Sequence, residues 1–329
     1  MKEFFLIDAA KHRGRNLRSH FLVAQKQLRD RNDGKGKYLS LTLTDRSGRL
    51  DGRVWDNAEQ LAAKFEQNDF VEVLACVDEF NGKLQLRVLE IVRLEPAQID
   101  LGDFQRRTER DVDALWNQLR ESVSDFTDAD LKRLVFAFLD DPEIARRYRV
   151  APAAKFMHHA WIGGLLEHVV DLLAFCDLAA GHFPLIHRDL LRTGAILHDV
   201  GKIYELSWER GFEYTVEGQL IGHISIATRL LDEKVRSLPD FPKSVHTLVE
   251  HIILSHHGSL EFGSPKLPML PEAVLLHYLD DVEAKMLAMR EACQPEGAPA
   301  PVFIDRVRAL ERPLINTRQY LADAAEKGK

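Results

Sequence analysis

A chain of 329 residues, 45% apolar and 29% charged, is long enough for two ordinary domains, and no apolar run nears the ~20 residues that a bilayer-spanning helix needs. The net charge of −7 is uneven, because residues 1–53 hold 13 Lys/Arg against 6 Asp/Glu. A basic start on an otherwise acidic chain suits a polyanionic partner, and suits a plain solvated face equally well. Cys76, Cys176 and Cys293 form no CxxC pair, which argues against a thiolate-zinc or disulfide framework and for a reducing compartment. The start MKEFFLIDAAKHRGR lacks the apolar core and cleavage site of a secretory signal, so the expected location is cytoplasmic.

The first hundred residues alternate with period two. YLSLTLTD (38–45), RLDGRVWD (49–56), FVEVLACVDEF (70–80) and LQLRVLEIVRL (84–94) read as strands, with an earlier one at 21–28. Glycine-containing turns at 32–36, 46–48 and 81–83 separate them. NAEQLAAKFEQ (57–67) suits a helix between the third and fourth strands. Five strands with a helix in that place are the arrangement of an OB-fold barrel, which binds oligonucleotides or oligosaccharides. The run also resembles the OB domains attached to nucleases and polymerases. Tyr38, Trp55 and Phe80 are candidates for stacking on bases, with Lys35, Lys37, Arg53 and Lys83 for holding phosphates. The alternative for Trp55 and Phe80 is packing inside the barrel.

From about residue 104 the period becomes helical. Helices are expected at 110–123, 128–141, 163–180, 186–200, 220–237, 242–255 and 270–291, with Asp128 as an N-cap and Asp141-Pro142 as a stop. The expected organisation is an all-β OB-fold barrel at 1–97, a linker at 98–110, an all-α domain at 111–293 and a C-terminal segment at 294–329. No internal repeat is visible.

Most of the 14 histidines fall between His158 and His277. Seven side chains recur in order: His168, the doublet His198-Asp199, His223, the pair His256-His257, then Asp280 or its neighbour Asp281. Imidazoles and carboxylates in this mixture suit Mn, Fe, Mg, Co or Zn. Successive residues on a helix diverge by about 100°, so His198 can serve one ion while Asp199 bridges to a second. Two ions about 3.5–4 Å apart can clamp the attacking and leaving oxygens of a phosphoryl displacement. Lys202, about a turn past the doublet, can overlook the same place, or simply serve a helix end. His158 and His159 can meet a phosphate or support His168. His20, His182, His187, His246 and His277 read as surface or core-edge residues.

The order H…HD…H…HH…D, carried by LLEHVVDLL, LHDVGK, LIGHISIA, ILSHHGSLEFGSPKLP and LHYLDDVEAKM, resembles the two-metal members of the HD-domain phosphohydrolases. That resemblance puts the closing ligand at Asp280. Gly263-Ser264-Pro265 stands where the HD-GYP phosphodiesterases carry Gly-Tyr-Pro, and Lys202-Ile203 stands where alarmone hydrolases carry two acids. An OB barrel followed by an HD domain, with HHAWIGGLLEH, EYTVEGQLIGHI and SHHGSLEFGSP, resembles the YhaM-type 3′→5′ exoribonucleases over nearly the whole chain. The resemblance implies trimming of single-stranded RNA, and DNA less consistently, to nucleoside 5′-monophosphates. It implies two divalent ions, manganese first, held by His168, His198, Asp199, His223, His256, His257 and Asp280. Asp199, Lys202 and His159 then carry the catalytic expectation, the last two as neutralisers of the phosphate. A hydrolase of small or cyclic nucleotides is the alternative. A homo-oligomer is compatible with the sequence but not derivable from it.

Overall fold

The computed structural model describes residues 2, 4–31, 34, 36–80, 82–155, 159–208, 211–294 and 300–327. The expected phosphate contact Lys35 and the histidine His158 lie outside the described residues. The chain forms two compact units. One runs to Arg107 and takes in Gly211; the other comprises Thr108–Trp208 and Phe212–Lys329.

The first unit is a closed five-stranded barrel. Its strands are β1 (Asn16–Asp30), β2 (Lys37–Asp45), β3 (Gly48–Val54), β4 (Phe70–Phe80) and β5 (Lys83–Arg93), in spatial order β1-β2-β3-β5-β4. Alternation decides what fills it: Leu39, Leu41 and Leu43 of β2 face Val71, Val73, Ala75 and Val77 of β4, and all are buried. β1 is long because it pairs twice, with β2 after Leu22 and with β4 before it. A bulge between Val23 and Gln25 bends the strand from one partner to the other. Helix α1 is shorter than expected, spanning only Ala58–Ala62. The expected linker at 98–110 is not a loose tether: Pro96–Gln98 and Leu101–Asp103 are 3-10 turns, and Phe104 is buried with its ring 4.8 Å from Phe70.

The second unit is a helical bundle. Helices α2 (Val112–Ser124), α3 (Ala129–Leu139) and α4 (Pro142–Tyr148) each begin on an aspartate whose carboxylate accepts two backbone N–H groups: Asp111, Asp128 and Asp141. Asp141-Pro142 is therefore a helix start and not only a stop, since proline at the first helical position gives up an N–H that has no partner there anyway. Helix α5 (Gly164–His182) buries nearly its whole first half, Leu165 to Leu173, as an apolar run with few charges demands. It packs against α6 (Arg188–Leu197) and α10 (Pro271–Cys293). Between these come α7 (Lys202–Glu205), a short hairpin of β6 (Leu206–Ser207) and β7 (Glu213–Tyr214), α8 (Val216–Ser237) and α9 (Lys243–Ser255). The hairpin departs from an all-α reading. The C-terminal residues form a second hairpin, β8 (Phe303–Val307) and β9 (Arg312–Ile315), then α11 (Thr317–Lys327). No helix among the described residues is long and apolar enough to cross a membrane.

Candidate metal centre and nucleic-acid surface

The seven ordered side chains come from five separate places in the helical unit. His168 lies inside α5, His198-Asp199 just past the end of α6, His223 inside α8, His256-His257 just past the end of α9, and Asp280 inside α10. Each terminal pair follows an apolar helix that the core holds firmly: Ile196, Leu197, Ile252 and Ile253 are fully buried.

They converge into two sets around one carboxylate. His168, His198 and Asp280 form the first, with His168 Nε2 at 3.5 Å from His198 Nε2 and 3.3 Å from Asp280 Oδ1. His223, His256 and His257 form the second. Asp199 stands between them. Its Oδ2 lies 3.3 Å from His198 Nε2, while its Oδ1 lies 3.4 Å from His223 Nε2 and 3.7 Å from His256 Nε2. Asp281 points elsewhere, to Lys285 at 2.7 Å, so Asp280 is the acid of the cluster.

The protonation pattern follows from what lies behind each ring. Nδ1 of His198, His256 and His257 faces a carbonyl, of Ala195 at 2.9 Å, Ile253 at 2.8 Å and Phe262 at 2.9 Å. Nδ1 of His168 faces Glu283 at 2.8 Å, and that of His223 faces Glu205 at 3.0 Å. A carbonyl oxygen can only accept, and so can an ionised carboxylate, so all five Nδ1 atoms donate and all five Nε2 atoms turn inward. Asp199 Oδ1, His223 Nε2 and His256 Nε2 are buried there without any hydrogen-bond partner. Orphaned buried acceptors are costly, and a cation removes the cost.

The charges agree. Burial opposes ionisation of Asp199, but Lys202 and then His198 outweigh it and hold the acid well below the usual carboxylate range. Burial and then the neighbouring His198 push His256 far down, which keeps its imidazole neutral. Burial also works against a proton on His168, yet Asp280 and then Glu283 raise it to about 10, so two carboxylates demand positive charge at that spot. This donor set fits divalent ions with mixed imidazole and carboxylate preference.

Two glutamates escaped the sequence reading. Glu205 receives both the ring Nδ1–H and the backbone N–H of His223, the latter at 2.9 Å. That N–H is free because α8 breaks at Gly222, whose φ of 75° and ψ of 158° are not helical. Glu283 joins His168 to His159, whose Nε2 donates to it at 2.7 Å. The expected role of His159 at a phosphate is corrected by this geometry: the ring is 1% exposed and engaged behind His168. Lys202 does stand at the centre, donating to Asp199 Oδ2 at 2.6 Å. Gly201 next to it touches the α8 backbone so closely that a Cβ would fall 2.0 Å from the His223 carbonyl oxygen. His277, expected as a core-edge residue, donates Nδ1–H to the His256 carbonyl at 3.0 Å.

On the barrel, Tyr38 and Trp55 meet at one end of the β2–β3 face, stacked with centroids 4.8 Å apart, and the Arg31 guanidinium covers the indole at 5.4 Å. Lys37 pairs with Glu59 at 3.3 Å, and Arg53 with Asp51 at 3.0 Å. Trp55 is 40% and Phe80 65% exposed, so neither packs the interior. Phe80 and Lys83 are opposed across the β4–β5 turn. Because β3 and β5 run parallel with Asp51 beside Gln85, that turn lies at the other end of the face from Trp55, about 20 Å away along the strands. Between the two ends, Gln25, Gln27, Arg29, Ser40, Thr42 and Arg53 line a polar groove of about 260 Å³.

Comparison with known proteins agrees with both halves. Residues 165–285 match the HD domain family, and residues 23–94 match the OB-fold nucleic acid binding domain family. The chain is 32% identical over 299 residues to the 3′-5′ exoribonuclease YhaM of Bacillus velezensis, spanning 91% of this chain and 93% of that one. It is 34% identical over 275 residues to the 3′-5′ exoribonuclease YhaM of Bacillus subtilis, spanning 83% and 86%. An OB barrel followed by an HD helical unit, matched along nearly its whole length, places this chain in the YhaM 3′-5′ exoribonuclease family.

Proposed function

We propose that the protein is a metal-dependent 3′→5′ exoribonuclease that shortens single-stranded RNA to nucleoside 5′-monophosphates, with single-stranded DNA as a secondary substrate. The observation that carries this is the inward turn of five Nε2 atoms around Asp199: those of His223 and His256, and Oδ1 of Asp199 itself, are buried and unpartnered. His168, His198 and Asp280 would hold one ion, His223, His256 and His257 a second, and Asp199 one oxygen toward each; manganese is the first choice. Ions bound there supply Lewis acidity to a phosphodiester and an activated water.

The remaining work falls to the chain's own groups. Glu205 and Glu283 fix the rings of His223 and His168, so little reorganisation is needed when charge develops. Lys202, held on Asp199 and partly exposed, offers an ammonium to a non-bridging phosphate oxygen. Trp55 with Tyr38 at one end of the barrel face, and Phe80 with Lys83 at the other, suit a strand that is stacked and held by its phosphates without base reading.

The test is a 5′-labelled single-stranded RNA with manganese. A descending ladder that Asp199→Ala slows by at least about 10²–10³-fold supports the proposal. Internal cuts would make the enzyme an endonuclease, and turnover of mononucleotides without a ladder would make it a small-nucleotide hydrolase.

A further inference from the structure

Helix α10 has two unlike faces. One carries Asp280 and Glu283 into the metal centre. The other carries Val274, Tyr278, Val282 and Met286, at strict i, i+4 spacing, and these are 38%, 60%, 45% and 54% exposed. Beside the first of them Phe183, Leu185 and Met269, 44%, 66% and 73% exposed, rim an apolar depression of about 450 Å³ floored by Leu270, Leu275 and Ile186. These seven side chains expose on the order of 800 Å² of mainly apolar surface. That exceeds the ~300–600 Å² of the largest patch on an ordinary monomer and matches the ~800 Å² that each partner contributes to a stable interface.

We propose that this face is a self-pairing interface, occupied by the same face of a second copy of the chain. The pattern is its own complement under a two-fold axis. Antiparallel α10 helices related by an axis near Asp280 bring Val274 opposite Met286 of the second copy, and Tyr278 opposite its Val282. Met286 of the second copy then reaches the mouth of the depression beside Val274. Rows at i, i+4 are the ridges that interlock in the commonest helix packing, and a two-fold interface must be made of one patch meeting itself. The flanking charges favour this occupant over lipid or nucleic acid. Asp281 and Lys285 neutralise each other at 2.7 Å, which leaves the exposed Arg290 at the end of the stripe as a lone charge and not a basic cluster for a phosphate-rich surface. The metal ligands face the other way, so pairing leaves them accessible and holds from behind the helix that carries Asp280.

Particle mass by light scattering, at about 20 µM chain, tests this. The wild type should show an even multiple of the chain mass. Tyr278→Glu with Val282→Glu, and separately Tyr278→Lys with Val282→Lys, should each halve it. Mixing the two variants should restore it, because each acidic face then meets a basic one, and restoration also shows that both variants are folded. If the charged pairs prevent folding, Val274→Ser with Met286→Ser serves as the milder variant, with the same halving expected. A wild type at single-chain mass, or variants that keep the full mass, would overturn the proposal. None of these readings depends on nuclease activity.

Discussion

Removing the carboxylate of Glu205 should weaken ion binding in one set and spare the other. Among the described residues its Oε1 accepts both the ring Nδ1–H of His223, at 3.0 Å, and the backbone N–H freed at the break in α8, at 2.9 Å. In Glu205→Ala both donors stay in a nearly closed space with no acceptor, and the imidazole loses the contact that aims its Nε2 at Asp199. Carboxylates in this position behind a metal-binding histidine are worth about 10–100-fold in metal affinity, or ~1.4–2.7 kcal/mol. Calorimetric titration of manganese into metal-free protein should show two equivalents in the wild type. In Glu205→Ala one equivalent should weaken by that factor while the other is unchanged. Glu205→Gln keeps an acceptor oxygen and should recover most of the loss. Glu283→Ala strikes the His168 set instead, and because the two glutamates support different rings, the double variant should lose both equivalents additively. Wild-type affinity for both ions in Glu205→Ala, or equal weakening of both, would refute the division of the site into two separately supported halves.

Loading itself should stabilise the helical unit: manganese at 100 times its dissociation constant contributes about 2.7 kcal/mol per site, or roughly 5–10 °C in melting temperature for a unit of this size, reversed by a chelator. Trp55→Ala should weaken single-strand binding by about 5–150-fold, from ~1–3 kcal/mol of stacking, with hydrolysis of a small chromogenic phosphodiester unchanged; equal loss on both substrates would remove Trp55 from the binding surface. The Lys234 ammonium at 2.6 Å, and after it the Ile144 N–H, hold the Asp141 carboxyl below its ordinary range. A carboxyl depressed by folding stabilises at pH values above its unfolded value and loses that contribution as pH falls through the folded one. Asp141→Asn keeps the cap and removes the charge, so it should cost about 0.5–1 kcal/mol at pH 7, with the gap to wild type closing below pH ~4 in chemical denaturation.

The order of the candidate ligands was legible because histidines and acids are expensive inside apolar helices, so His168, His198-Asp199, His223 and His256-His257 stand out from their surroundings. The barrel was legible because residues such as Leu39, Leu41 and Leu43 alternate with polar neighbours. Glu205 and Glu283 were not, since a glutamate on a helix looks the same whether it meets solvent or an imidazole; only the fold decides. Nothing in the sequence separated His159 behind the site from Lys202 inside it. The exposed stripe of α10 was hidden for the opposite reason: Val274, Tyr278, Val282 and Met286 have the spacing of a core face, and α10 is apolar enough to be buried on either side. At Asp141-Pro142, the same dipeptide that ends one helix begins the next, so α4 was invisible to a search for stops.

The break at Gly222 has an electrical consequence. A straight α8 would pass the site with its uncharged middle, every N–H spent within the helix. Broken there, the chain begins a fresh helix at His223, and a helix beginning carries about half a positive charge. That partial charge sits beside Glu205: burial opposes ionisation of this acid, but the His223 ring and then the freed backbone N–H outweigh it, so the break itself helps keep Glu205 an anion before any cation arrives.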